Sequence, residues 1–330
     1  MRFVDMHCDT ISEILKERRA GRVCELRENA GQLDLVRMKE GDYLLQNFAL
    51  FVNIAKCENP WEEVNALLEV YEEELDKNKD MIGRVLQYED IVQNQQQGRL
   101  SALLTVEEGA VCMGDVGKLR TLYDKGVRMM TLTWNHENEL GYPAGSDSGL
   151  TDKGKEFVME METLGIIPDV SHLSDVGFRD VLEITKKPFV ASHSNARSVC
   201  NVPRNMTDDM IRKLGERGGC MGLNFYQAFL LEEPERDRAD SQDRTQERTQ
   251  ETTEKILTAI ARHAKHIVNC GGIEVLGLGS DFDGIPTNEA IPGAQSMEIL
   301  YHTFQKAGFT ESDLDKITQK NVLRVYKNLS

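Results

Sequence analysis

From end to end, this 330-residue chain alternates short apolar runs with segments of helical period. The runs lie near residues 2–7, 44–53, 100–106, 127–133, 165–170, 188–193, 219–224 and 275–280. Strand and helix in regular alternation form the βαβα pattern of a parallel sheet. Eight such units in one chain read as a closed ring before they read as an open sheet. The expected fold class is therefore α/β, a (β/α)8 TIM barrel that takes up residues 1–330 as a single domain. A hydrophobic content of 40% supports the core such a barrel needs, and neither an internal repeat nor a Pro- or Gly-rich linker marks a second domain.

Caps and stripes locate the helices between the runs. Pro60-Trp61-Glu62-Glu63 opens one with proline and acids in its first turn, which suits the positive end of the helix dipole. Val64, Leu68, Tyr71 and Leu75 continue it at helical spacing. Ser174-Asp175 and Thr207-Asp208-Asp209 mark two further N-termini. Leu314, Ile317, Val322, Leu323 and Val325 form a last helix, expected to close the outer ring. A polar insertion near 232–255, rich in Arg, Asp, Glu, Gln and Thr, is expected to be an exposed loop or solvated helix after the seventh strand.

A net charge of −16 sets a mostly like-signed surface against phosphate backbones and anionic lipids, so neither nucleic acid nor a membrane is an expected partner. No stretch approaches the ~20 apolar residues of a membrane span. The first residues enter a strand rather than a charged and then apolar leader, and a cytoplasmic location is expected. Cys8, Cys24, Cys57, Cys112, Cys200, Cys220 and Cys270 are dispersed without a CxxC pair, which suits reduced thiols better than a disulfide framework.

Metal-capable side chains recur where the apolar runs end. His7 and Asp9 close the first, on alternate positions that point to one side of a strand. Glu107, His172, His193 and Asp281 follow four later runs. In a parallel barrel these C-terminal strand ends converge on one face, where the loops build the active site. Neutral histidine and carboxylate are zinc ligands, and two ions can share a bridging carboxylate. Any one of these residues alone is more simply a hydrogen-bonded structural group. Three of only seven histidines at equivalent strand ends make coincidence the poorer explanation.

Other residues near these ends suit neighbouring roles. Asp281 can take a proton from an activated water and pass it to a leaving amine. Asp283, just before Gly284, reads as a turn former. Arg204 offers a planar fork for a substrate carboxylate, and Tyr226 a hydrogen bond at the same mouth; a surface ion pair and a core hydroxyl are the plainer alternatives. His136, after Thr131-Leu132-Thr133-Trp134-Asn135, is a candidate to contact substrate or stabilise an oxyanion, and equally a plain loop histidine. His263, His266 and His302 read as surface or helix-face residues.

Asp5-Met6-His7-Cys8-Asp9, Val106-Glu107-Glu108-Gly109, Asp169-Val170-Ser171-His172, Ser192-His193-Ser194-Asn195-Ala196-Arg197-Ser198-Val199-Cys200 with Pro203-Arg204-Asn205, Asn224-Phe225-Tyr226 and Gly279-Ser280-Asp281-Phe282-Asp283-Gly284 together resemble the membrane (renal or microsomal) dipeptidase family of metal-dependent amidohydrolase-like barrels. The pieces fall in family order over nearly the whole chain, the stretch from His193 to Asn205 and the Asp281 turn being the most specific. The resemblance implies two Zn2+ ions, with His7 and Asp9 on one, His172 and His193 on the other, and Glu107 bridging. It also implies proton transfer by Asp281, substrate contacts from Arg204 and Tyr226, and dipeptide substrates that include those with a C-terminal D-residue. Two positions depart from the family pattern. Trp134 stands where better-known members have a histidine after Thr-Leu-Thr, with His136 two positions on, and Glu108 stands where glycine is common.

The function expected on these grounds is hydrolysis of a dipeptide by a hydroxide held between two zinc ions, metal binding lowering the pKa of water from about 15.7 to roughly 7. Two alternatives stay open: a metal-dependent hydrolase of a lactone or cyclic amide on the same barrel, and a non-catalytic ligand-binding relative. Pocket preference, the physiological metal and the oligomeric state, a homodimer included, are left open by the sequence.

Overall fold

The computed structural model describes residues 2–232 and 246–329, with side chains of the second stretch described from 250 onward. Nine strands, all parallel, lie in these residues: β1 Phe3–Asp5, β2 Tyr43–Phe51, β3 Ile82–Val85, β4 Leu100–Glu107, β5 Val127–Thr131, β6 Ile167–Asp169, β7 Val190–Ala191, β8 Cys220–Leu223 and β9 Leu276–Leu278. Eight of them close a ring in the order β1, β2, β4, β5, β6, β7, β8, β9, the eight that the apolar runs announce. The seam between β2 and β4 runs from Leu45 opposite Ser101 to Phe51 opposite Glu107, and β9 returns to β1 through Leu278 opposite Asp5. The architecture is a (β/α)8 barrel.

β3 was not among the expected strands. It pairs with Leu100–Leu103 of β4, on the edge that β5 occupies from Leu104 onward. Its sequence, Ile-Gly-Arg-Val, holds two apolar residues and so carries no run signal.

The ring strands are buried on both faces, which is why they read as continuous apolar runs. The helices start where their caps predict. Asn59 accepts from the Glu62 amide ahead of Pro60–Lys77, Ser174 from Gly177 ahead of Asp175–Ile184, and Thr207 from Met210 ahead of Asp208–Glu216. Each such cap contributes about 0.5–2 kcal/mol.

The C-terminal segment corrects one expectation. Leu314 and Ile317 do pack in the layer between strands and outer helices, but Val322, Val325, Tyr326 and Leu329 join the cluster inside the barrel. There they meet Val4, Leu44, Ile167, Val190 and Cys220 at the beginnings of strands. The Asn47 amide donates to the Tyr326 hydroxyl at 2.7 Å. The last helix, Asn321–Tyr326, therefore plugs the N-terminal mouth of the barrel and leaves the opposite mouth for chemistry.

Of the expected polar insertion, 233–245 lies outside the described residues, and from Gln246 the chain is in the helix Gln246–Gly271. None of the seven cysteines is joined in a disulfide. No helix among the described residues is long and apolar enough to cross a membrane.

Candidate metal centre

Parallel strands deliver their last residues to one rim, and five side chains meet there. His7 follows β1, Glu107 ends β4, and His172 and His193 follow β6 and β7. The His7 Nε2 atom lies 3.3 Å from Glu107 Oε2 and 3.4 Å from Asp9 Oδ2. On the other side of the same carboxylate, Glu107 Oε1 lies 3.0 Å from His172 Nε2 and 3.5 Å from His193 Nε2. One glutamate thus stands between two donor groups, His7 with Asp9 and His172 with His193. All five residues are buried.

The surrounding hydrogen bonds fix which ring nitrogens are free. Ser192 gives its hydroxyl proton to Asp169, so its oxygen accepts from His193 Nδ1 at 2.7 Å. His172 Nδ1 donates to Asn135 Oδ1 at 3.0 Å. Both protons sit on Nδ1, and the two Nε2 lone pairs face each other 2.9 Å apart. Lone pairs so close, beside a carboxylate, repel unless a cation lies among them. His7 Nε2 and Asp9 Oδ1 are buried without a hydrogen-bond partner. These orphaned atoms and this nitrogen and oxygen donor set fit divalent metal ions.

The electrostatics of the bare chain agree. Burial opposes a proton on His7, yet the carboxylates of Glu107 and Asp9 outweigh it and hold the imidazole well above its ordinary pKa. Burial pushes the Glu107 carboxyl up to about 7 against the opposing pull of His7. Burial, with the positive charges of Arg204 and His7, keeps His172 and His193 well below 6.5, so they stay neutral and free to ligate. A proton on His7 does for the bare cluster what a cation does when bound.

Asp281, in the turn after β9, reaches the same centre with Oδ1 3.7 Å from His7 Nε2. Asn224 donates to its other oxygen at 2.9 Å. Burial raises its pKa, and the Asp9 charge adds to that effect while His7 opposes it. Asp281 and Asp283 both take left-handed backbone angles, φ 66° each. Asp283 turns away from the centre: its carboxylate accepts from Thr10 Oγ1 and from the Gln32 amide, both at 2.6 Å. Gly284 completes the turn, and a β-carbon there would lie 2.0 Å from Asp9 Oδ2.

A cavity of about 230 Å3 opens above the cluster, walled by Phe51, Trp134, Tyr226, Phe229 and Ile285, with Ser12, Glu13 and Asn135 at polar points. Tyr226 therefore lies at the mouth where the sequence placed it. Arg204 lies behind it, donating to the His193 carbonyl at 3.0 Å and to Ser194 Oγ at 2.7 Å, with its Nε unpartnered and its charge center 5.5 Å from the Phe229 ring. Burial lowers its pKa to about 10.

His136 is not brought in. It is exposed and touches the edge of Trp134, while Trp134 and Asn135 take the cavity positions, because the loop turns outward after Asn135. His263 departs from a surface reading: it is fully buried, accepting from the Ala196 amide and donating to the Leu230 carbonyl. His302 is exposed beside Glu298.

The sequence pattern also missed supporting residues: Asn135, Ser192, Asn224 and the wall residues Phe51 and Phe229. The serine immediately before His172 and again before His193 is the one local signal. Both Ser171 and Ser192 donate to Asp169.

The model of the family described as membrane dipeptidase (peptidase family M19) matches residues 1–330. The chain belongs to the membrane dipeptidase family. The chain is 30% identical over 318 residues to a protein of Schizosaccharomyces pombe described as an uncharacterized dipeptidase, covering 89% of this chain and 71% of that one. Among solved structures, the M19 metallopeptidase dipeptidase AC superposes with a TM-score of 0.88 at 24% identity, over 100% of this chain and 98% of its own. A metallopeptidase from Rhodobacter sphaeroides, liganded with a phosphinate mimic of the dipeptide L-Ala-D-Ala, gives 0.88 at 24% identity over 100% and 99%. At that identity the superpositions establish a shared fold.

Proposed function

We propose that this chain is a zinc-dependent dipeptidase, holding one ion on His7 and Asp9, a second on His172 and His193, and both on Glu107. The observation that carries the reading is the pair of facing Nε2 lone pairs on His172 and His193, 2.9 Å apart beside Glu107. Ions bound there supply Lewis-acid polarisation of the scissile carbonyl and lower the pKa of water from about 15.7 to roughly 7.

The remaining work belongs to side chains. Asp281, held by Asn224 and raised by burial, keeps a carboxyl able to take a proton and to deliver it to the leaving amine. Arg204 supplies positive charge behind the His193 carbonyl, where it attracts the C-terminal carboxylate of a dipeptide. Tyr226 offers its hydroxyl at the mouth, and Trp134, Phe51 and Phe229 exclude water from the cavity. A cavity of about 230 Å3 suits a substrate of two small residues. Acceptance of a D-residue at the C-terminal position is proposed from the ligand of the R. sphaeroides metallopeptidase.

The test is metal content per chain, read together with turnover of dipeptides ending in L- or D-residues and of a lactone, on metal-free and zinc-reconstituted protein. Two zinc ions per chain and peptide cleavage only after reconstitution are expected. His172→Ala should lose one ion and all peptide turnover. Lactone turnover without peptide cleavage, or full activity in His172→Ala, overturns the assignment.

A further inference from the structure

A second set of metal-capable side chains lies on the outer helices, apart from the barrel mouth. His266 and Cys270 stand one helical turn apart on Gln246–Gly271, so their side chains share a face. Asp208, the first residue of the neighbouring helix Asp208–Glu216, reaches across to them. His266 Nε2 lies 2.7 Å from Asp208 Oδ1 and 3.4 Å from Cys270 Sγ. Ser198 Oγ donates to the same Asp208 oxygen at 2.9 Å and steadies it. Ligand atoms of all three residues lie within 4.8 Å of one another.

The arrangement differs from a nucleophilic triad. A triad uses the two ring nitrogens separately, the acid on Nδ1 and the nucleophile on Nε2. Here carboxylate oxygen and sulfur both face Nε2, so three donors converge on one point. Mutual convergence of an imidazole nitrogen, a thiol sulfur and a carboxylate oxygen is what a tetrahedral ion with one open position asks of a protein. The histidine side chain is 28% exposed and that of the aspartate 49%, so an ion has a path in and room for a water ligand.

We propose that Asp208, His266 and Cys270 form a second, outer metal site for a thiophilic divalent ion of the zinc class. The ion displaces the thiol proton of Cys270 to solvent and joins the two helices. It also ties them to Ser198, in the loop that follows His193. Nothing in this site depends on the dipeptidase reading, since it shares no ligand with the barrel mouth.

Cobalt(II) gives the test, because a thiolate ligand adds a near-ultraviolet sulfur-to-metal charge-transfer band that an all-nitrogen and oxygen centre lacks. Reduced full-length protein is titrated with Co2+, and the band is expected to saturate at an intensity of one thiolate-bound ion per chain, in addition to the ions taken up at the barrel mouth. Cys270→Ser and His266→Gln should abolish it while leaving the visible bands of the barrel-mouth ions. Asp208→Asn should weaken cobalt binding at this site by at least about tenfold. Cys24→Ser, which alters another partly buried thiol, should leave the band intact. Absence of the band in the wild-type chain, or its persistence in Cys270→Ser, overturns the proposal.

Discussion

Asp281 owes its reach to a backbone angle few residues adopt. Its φ of 66° turns the carboxylate back over His7 rather than along the strand direction, and Asn224 fixes the far oxygen. Asp281→Asn keeps the shape and removes the proposed proton carrier. It should lower kcat by about 10²–10⁴-fold with metal content unchanged, as checked by steady-state kinetics beside elemental analysis. His263 supports a prediction at the same scale but of a different kind. Burial holds its folded pKa at about 4, against 6.5 for an ordinary histidine. The unfolded chain takes up that proton first on acidification, so the histidine's contribution to stability is complete above pH 6.5 and is lost as pH falls toward 4. Gln in its place can accept from Ala196 and donate to Leu230 without titrating. Urea unfolding at pH 7 and pH 5 should show His263→Gln losing less stability than wild type between the two, by about 2 kcal/mol. The residues placed by sequence at strand ends could be seen because the barrel repeats that position. Asn135 and Asn224 could not be seen, because each touches its partner only once two loops from different units have packed.

Turns at the barrel rim set the spacing of the centre. The segment from Asp281 to Gly284 brings Asp281 toward His7, sends Asp283 to Thr10 and Gln32, and passes its glycine against Asp9. In Gly284→Ala the new methyl group would meet Asp9 Oδ2 at 2.0 Å and Asp281 Oδ1 at 2.7 Å. The carboxylate of Asp9 must move. The variant should fold, at a cost of about 1–3 kcal/mol for the crowding, yet bind one metal ion fewer and lose most of its activity. Circular dichroism and metal analysis of the same sample check both halves. Elements themselves were largely legible: ring strands announce themselves as apolar runs, and helix starts show at Pro60, Ser174 and Thr207, whereas the Asn59 cap emerges only in the structure. β3 was not, since two apolar residues around Gly83 and Arg84 are too few to make a pattern. The C-terminal stripe was read correctly as helical and misplaced, because the π-helical turn Lys316–Lys320 shifts which face follows it. Leu314 and Ile317 face the outer layer, whereas Val322 and Val325 face the barrel interior.

Across the whole molecule, the two mouths of the barrel divide the labour. The mouth at the strand ends gathers ionisable groups that burial strains, and a proton on His7 offsets that strain in the bare chain as bound cations would. At the other mouth an apolar plug of Val322, Val325, Tyr326 and Leu329 closes the interior. Tyr326 is fully buried and its hydroxyl lies 2.7 Å and 3.0 Å from the two side-chain polar atoms of Asn47, so the plug also satisfies a polar group on β2. Tyr326→Ala empties that volume and leaves Asn47 without its partner. A loss of about 3–5 kcal/mol is expected for the cavity, with about 1–3 kcal/mol more for the buried amide. Tyr326→Phe keeps the volume and should show the amide's share alone. Because the plug and the metal centre stand at opposite ends of the strands, molecules of either variant that remain folded should keep wild-type metal content and kcat. Urea unfolding with kinetics well below the transition separates the effects. A fall in kcat of folded Tyr326→Phe would show instead that the plug is coupled through the barrel interior to the centre above it.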